Sequence, residues 1–61
     1  MTIGELRRLL AKSGFHLAAH RHRHDYFQND EGIVLPIPRH GKNQEVATGT
    51  LRSILKKAGI R

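Results

Sequence analysis

Cysteine is absent from this chain of 61 residues, so neither a disulfide nor a thiolate-held metal supports the fold. That absence fits a reducing compartment, and the expected localisation is cytoplasmic. Long apolar runs are also missing: nothing approaches the ~18 residues of a membrane span. The N-terminus lacks the apolar core of a signal peptide, so the sequence predicts a soluble chain with no membrane partner. No repeat, low-complexity tract or second domain interrupts residues 1–61, which read as one domain. A chain of this size buries only about 60% of its unfolded surface, which makes partner binding a source of added stability.

Acidic residues are few. Five Asp and Glu stand against eleven Lys and Arg, giving a formal charge of +6. Such an excess favours a polyanionic partner through counterion release and electrostatic steering. Charge alone does not choose among RNA, DNA, a membrane surface and an acidic protein.

What is present begins with a helix signal. Thr2-Ile3-Gly4-Glu5 has the spacing of a capping box, and Ile3, Leu6, Leu9 and Leu10 follow at helical intervals. Glu5, Arg7, Arg8 and Lys12 are expected to face outward. Gly14 closes a helix predicted over residues 2–13. Phe15, Leu17 and Ala19 then alternate with His16, Ala18 and His20, the pattern of a strand with one buried face. A second strand is expected over residues 23–28, then a turn at Asn29-Asp30-Glu31-Gly32 and a third strand at Ile33-Val34-Leu35. Pro36 and Pro38 close that strand or hold it to an edge. After a polar loop at residues 40–44, Thr48 is expected to cap a second helix with apolar Leu51, Ile54, Leu55 and Ala58, ended by Gly59. The predicted class is α+β, in the order helix, three antiparallel strands, helix, with both helices on one face of the sheet.

The chemistry concentrates in His20-Arg21-His22-Arg23-His24, which holds three of the five histidines. Imidazole exchanges protons near neutral pH, and the guanidinium fork grips phosphate. Aromatic Tyr26 and Phe27 follow; on a strand they face opposite ways, one into the core and one out where it can stack a base. In a continuous strand the three histidines would share a face and suit zinc, but the adjacent arginines repel a dication. By residue type alone, a histidine in a basic segment is more often a solvated or RNA-contacting group than a catalyst. Arg39, His40 and Lys42 form a second basic cluster on the loop after the third strand. Lys56 and Lys57 suit the end of the second helix whatever its function.

These residues resemble the HicA toxins, small mRNA interferases of bacterial toxin–antitoxin pairs. The resemblance runs from Ile3 through Gly14-Phe15, His24 with Tyr26, Phe27 and Gly32, Val34-Leu35-Pro36 and His40-Gly41-Lys42. Its most specific part is Gly49-Thr50-Leu51-Arg52-Ser53-Ile54-Leu55-Lys56-Lys57-Ala58-Gly59-Ile60. The family's motif has Gly-Ser directly before its single catalytic histidine, where this chain has His22-Arg23. An arginine common in the first strand is Ala19 here.

The resemblance implies a fold like the double-stranded-RNA-binding domain and endoribonuclease activity on mRNA without metal or organic cofactor. It also implies a HicB-type antitoxin as partner, in a hetero-oligomer. It points to His24 as the acid or base. Arg21, His22, Arg23, Arg39, His40 and Lys42 are the expected RNA contacts, and His20 and His22 are open candidates for a second proton-transfer role. A non-catalytic module that binds duplex RNA by shape is the competing reading. DNA recognition through the second helix is weak, since Arg52, Lys56 and Lys57 are its only cations.

Overall fold

The computed structural model describes residues 1–38 and 41–60. Arg39 and His40, two of the expected RNA contacts, lie outside the described residues.

Helix α1 spans Ile3–Lys12. Its capping box forms as the spacing predicts: Glu5 N–H donates to Thr2 Oγ1 at 3.2 Å, and Thr2 N–H donates to Glu5 Oε1 at 2.9 Å. Gly14, at φ 89°, turns the chain out of the helix in a conformation that glycine adopts without strain. Strands β1 (His16–Arg21), β2 (His24–Gln28) and β3 (Val34–Pro38) form an antiparallel sheet in the order β1-β2-β3. Helix α2 covers Thr48–Ala58 and ends at Gly59, left-handed at φ 74°. Ile60 N–H then donates to the Leu55 carbonyl at 2.9 Å.

The helices and the sheet share one core of Ile3, Leu6, Leu10, Phe15, Phe27, Leu35, Ile37, Val46 and Ile54. In register, Phe27 lies opposite Leu35 and Asp25 opposite Ile37; all four are buried. The alternate residues His24, Tyr26, Gln28, Val34, Pro36 and Pro38 are half-buried or exposed, so one sheet face is covered by both helices and the other is open. The expected helix–three strands–helix α+β architecture is therefore present, like that of the double-stranded-RNA-binding domain.

Four local expectations change. The third strand runs from Val34 through Pro36 and Pro38, so of the two roles expected of the prolines the edge position holds and the closing one does not. It is an edge strand with a partner on one side only, where a missing N–H is tolerated. Thr48 is the first residue of α2 rather than its cap; Ala47 holds the cap position and offers no side-chain hydrogen bond. The second strand starts at His24 because Arg23 belongs to the hairpin turn. In β1 the alternation fails: Leu17 is 56% exposed although it lies opposite buried Phe27. Beyond Leu17 the register shifts, leaving Ala18 as the extra residue of a bulge, so His20 and not Ala19 shares the covered face with Asp25.

Candidate RNA-cleavage site

The bulge decides where the histidines go. Beyond it, Ala19 lies opposite Tyr26, His20 opposite Asp25 and Arg21 opposite His24. Directly opposed residues share a sheet face. His20 is therefore turned toward the covered face with Asp25, whereas Arg21 and His24 sit side by side on the open face. His22 and Arg23 occupy the two-residue turn between them. The zinc-suited arrangement of three imidazoles on one face does not form, and among the described residues no group of three His, Asp or Glu is placed to hold a metal ion.

His22 and Arg23 both have positive φ, 51° and 65°. That sign pattern belongs to the type I′ hairpin turn, whose usual residues are Asn-Gly or Gly-Gly. Each non-glycine residue held there costs about 1–2 kcal/mol. The tight turn persists without glycine, and its reward is local. The His22 carbonyl lies 3.0 Å from His24 Nδ1. A carbonyl only accepts, so Nδ1 carries the proton in this contact and Nε2 is the nitrogen at which His24 gains or loses one. The imidazole of His24 also meets the Tyr26 ring at 6.4 Å between centroids, tilted by 42°.

On the covered face, Asp25 is 6% exposed. Arg7 Nη2 donates to its Oδ2 at 2.7 Å, so Arg7 does not simply face outward from α1. Arg7 Nε is enclosed and has no hydrogen-bond partner among the described residues. His20 Nδ1 lies 3.0 Å from Asp25 Oδ1 and 3.1 Å from the His24 carbonyl. Both are acceptors, so Nδ1 donates to them. The Arg7–Asp25–His20 network thus fastens α1 to the strand end that carries His24. Sequence reasoning missed Arg7 and Asp25. The available signal was a lone carboxylate inside a basic segment, followed by alternating Tyr26 and Phe27.

Of the expected RNA contacts, the fold brings Arg21, His22 and Arg23 together with His24. Lys42 is elsewhere: its carbonyl accepts from Gly4 N–H at 2.9 Å. A Cβ on Gly4 would come within 3.1 Å of that oxygen, so a side chain there would press the Lys42 backbone away by a few tenths of an ångström. Lys42 lines a concavity with Arg7 and Arg8 at the start of α1, making a second basic patch. No described helix is long and apolar enough to cross a membrane.

No curated protein matches the chain. The family model described as the HicA toxin of bacterial toxin–antitoxin matches residues 3–60, nearly the whole length, and it takes in both helices and the hairpin that carries His24. The chain belongs to the HicA toxin family.

Proposed function

We propose that this protein is the toxin of a bacterial pair, a cytoplasmic endoribonuclease that cleaves mRNA without a metal and is held inactive by a HicB-type antitoxin. The observation that carries the reading is the setting of His24. Its Nδ1–H is committed to the His22 carbonyl at 3.0 Å, and Arg21 stands directly across the hairpin.

Nε2 of neutral His24 takes the proton of the ribose 2′-hydroxyl. The oxygen attacks the adjacent phosphorus, the bond from phosphorus to the 5′-oxygen breaks, and that oxygen is protonated by water or an imidazolium. The products are a 2′,3′-cyclic phosphate and a 5′-hydroxyl. Charge gathers on the phosphate oxygens as the nucleophile adds, and Arg21 and Arg23 supply donors for it. The His22 carbonyl also stabilises the imidazolium that forms. No step needs a redox or organic cofactor. An acidic antitoxin surface suits the same cations and would compete with RNA for them.

The test is cleavage of a defined mRNA by purified protein in EDTA, with His24→Ala as the comparison. A loss of about 100- to 10,000-fold in rate is expected for the variant. Cleavage that stops in EDTA would refute the metal-independent mechanism. RNA binding without cleavage by the parent protein would favour the binding-module reading. Cleavage should stop again when a HicB-type protein is added in equimolar amount.

A further inference from the structure

Tyr26 lies beside His24 on the open face of the sheet, and its position defines a second element of the site. In register it sits between Ala19 of β1 and Pro36 of β3, two side chains smaller than its ring, and it is half-buried. Ala18, the extra residue of the bulge, adds no bulk. Tyr26, Ala18 and Ala19, together with Arg21, His22, Gln28 and the exposed Val34, line a shallow concavity of about 440 Å³. Its lining combines small apolar side chains and an aromatic ring with a guanidinium, an imidazole and an amide. We infer that this concavity is a subsite for an unpaired nucleobase of RNA, stacked on Tyr26 next to the phosphate at His24.

The inference rests on the ribonuclease reading and adds its substrate class, single-stranded RNA. Every base presents a π-face, so stacking on an aromatic ring holds a strand without demanding one sequence. Gln28 offers a donor and an acceptor to a base edge, which gives a modest preference. Arg21 faces both the concavity and His24, so one guanidinium reaches the phosphate that joins a stacked base to the reacting ribose. The ring separation of 6.4 Å between His24 and Tyr26 is of the order of one nucleotide step. In a duplex the bases are already paired and stacked, and the A-form backbone holds the 2′-hydroxyl out of line with the leaving oxygen. An unpaired, splayed strand satisfies both the stacking and the in-line attack.

Tyr26 is the only tyrosine and the chain has no tryptophan, so intrinsic emission reports this ring alone. The probe is a mixed-sequence 2′-O-methyl oligoribonucleotide, which lacks the attacking hydroxyl and is not cut. Titration of the intact protein is expected to quench Tyr26 emission when the oligomer is single-stranded, and to leave it unchanged with the same sequence as a duplex or with polyphosphate. By anisotropy, Tyr26→Leu should bind the single strand about tenfold more weakly or worse, while Tyr26→Phe binds like the parent. The slope of affinity against salt should stay the same in all three, because phosphate contacts are untouched. Far-UV circular dichroism checks the fold of the leucine variant, and the quenching result stands without it. Saturating oligomer that leaves the emission unchanged, or undiminished affinity in Tyr26→Leu, overturns the subsite. Cleavage of ordinary RNA is scored separately with His24→Ala. Cleavage without quenching removes the base subsite and keeps the ribonuclease; quenching without cleavage does the reverse.

Discussion

Along β2 and β3 the two faces of the sheet divide the work residue by residue. Asp25, Phe27, Leu35 and Ile37 point under the helices and are buried, while His24, Tyr26, Gln28, Pro36 and Pro38 look the other way. The covered face carries the core of a small domain. The open face carries an imidazole, an aromatic ring and, across the hairpin, a guanidinium. Stability and chemistry are thus separated by a single step along the chain, so substitutions one residue apart should report on different properties. At Asp25 the faces communicate: it is buried with the core, yet its partner His20 also donates to the backbone of His24.

The largest effect belongs to the covered face. Leu35→Ala removes a fully buried side chain and should cost about 2–5 kcal/mol. A single small core supplies little more than about 3–5 kcal/mol in total, so this variant is expected to be mostly unfolded by circular dichroism at 37 °C. Pro36→Ala, the adjacent residue on the open face, should shift stability by no more than about 0.5 kcal/mol. Equal losses in urea titrations of the two variants would mean that the faces are not divided as described.

Asp25→Ala comes next. Removing the carboxylate takes the ion-pair partner from the guanidinium of Arg7 and one of two acceptors from the Nδ1–H of His20, which keeps the His24 carbonyl. Because Arg7 is about one-third exposed, water recovers part of the loss, and a destabilisation of about 1–3 kcal/mol is expected. The same variant loosens the strand end behind His24, so its cleavage rate should fall further than its folded fraction. A rate that merely tracks the folded fraction would reduce the network to a structural tie.

How much of this was legible in the sequence follows from which signals are local. The α1 capping box, the Gly14 and Gly59 exits and the Asn29 turn each depend on residues within one helical turn of each other, and all appear. The turn, for example, forms because Asn29 Oδ1 accepts from Glu31 N–H at 3.1 Å and from Ile33 N–H at 2.9 Å. Parity in β1 was not legible. One extra residue at Ala18 reverses the facing of every residue after it, and Ala-Ala carries no mark of a bulge. His20, one of two open candidates for a second proton-transfer role, is tied by the register to buried Asp25. Residues 49–60 were the most specific part of the family resemblance, while the arrangement around His24 depended on the turn.

That turn supplies the third prediction. His22→Asn combined with Arg23→Gly gives the residue types that a two-residue hairpin turn favours, at positions now held at φ 51° and 65°. Relief of the backbone strain should stabilise the protein by about 1 kcal/mol, which for a domain of this size raises Tm by about 4–8 °C. RNA affinity should drop modestly with the loss of the Arg23 cation, and its salt dependence should flatten by about one phosphate contact. A variant no more stable than the parent would show that the left-handed pair is not under strain.

The smallest effect lies away from both faces, at the exposed start of α1. The Glu5 carboxylate accepts the Thr2 backbone N–H at 2.9 Å, and this contact, together with the Thr2 hydroxyl, holds its pKa below the ordinary value of 4.5. A depressed carboxylate pKa means that the folded state releases this proton more readily than the unfolded state. The corresponding stability is present above the unfolded-state pKa and is lost as pH falls through the folded-state value. Glu5→Gln keeps a capping side chain but has no charge to titrate. Urea midpoints for the parent should therefore fall more steeply than those of the variant below pH 4.5, and the two should run parallel at pH 6 and above. Parallel curves throughout the acid range would mean that the capping carboxylate gains nothing from its charge.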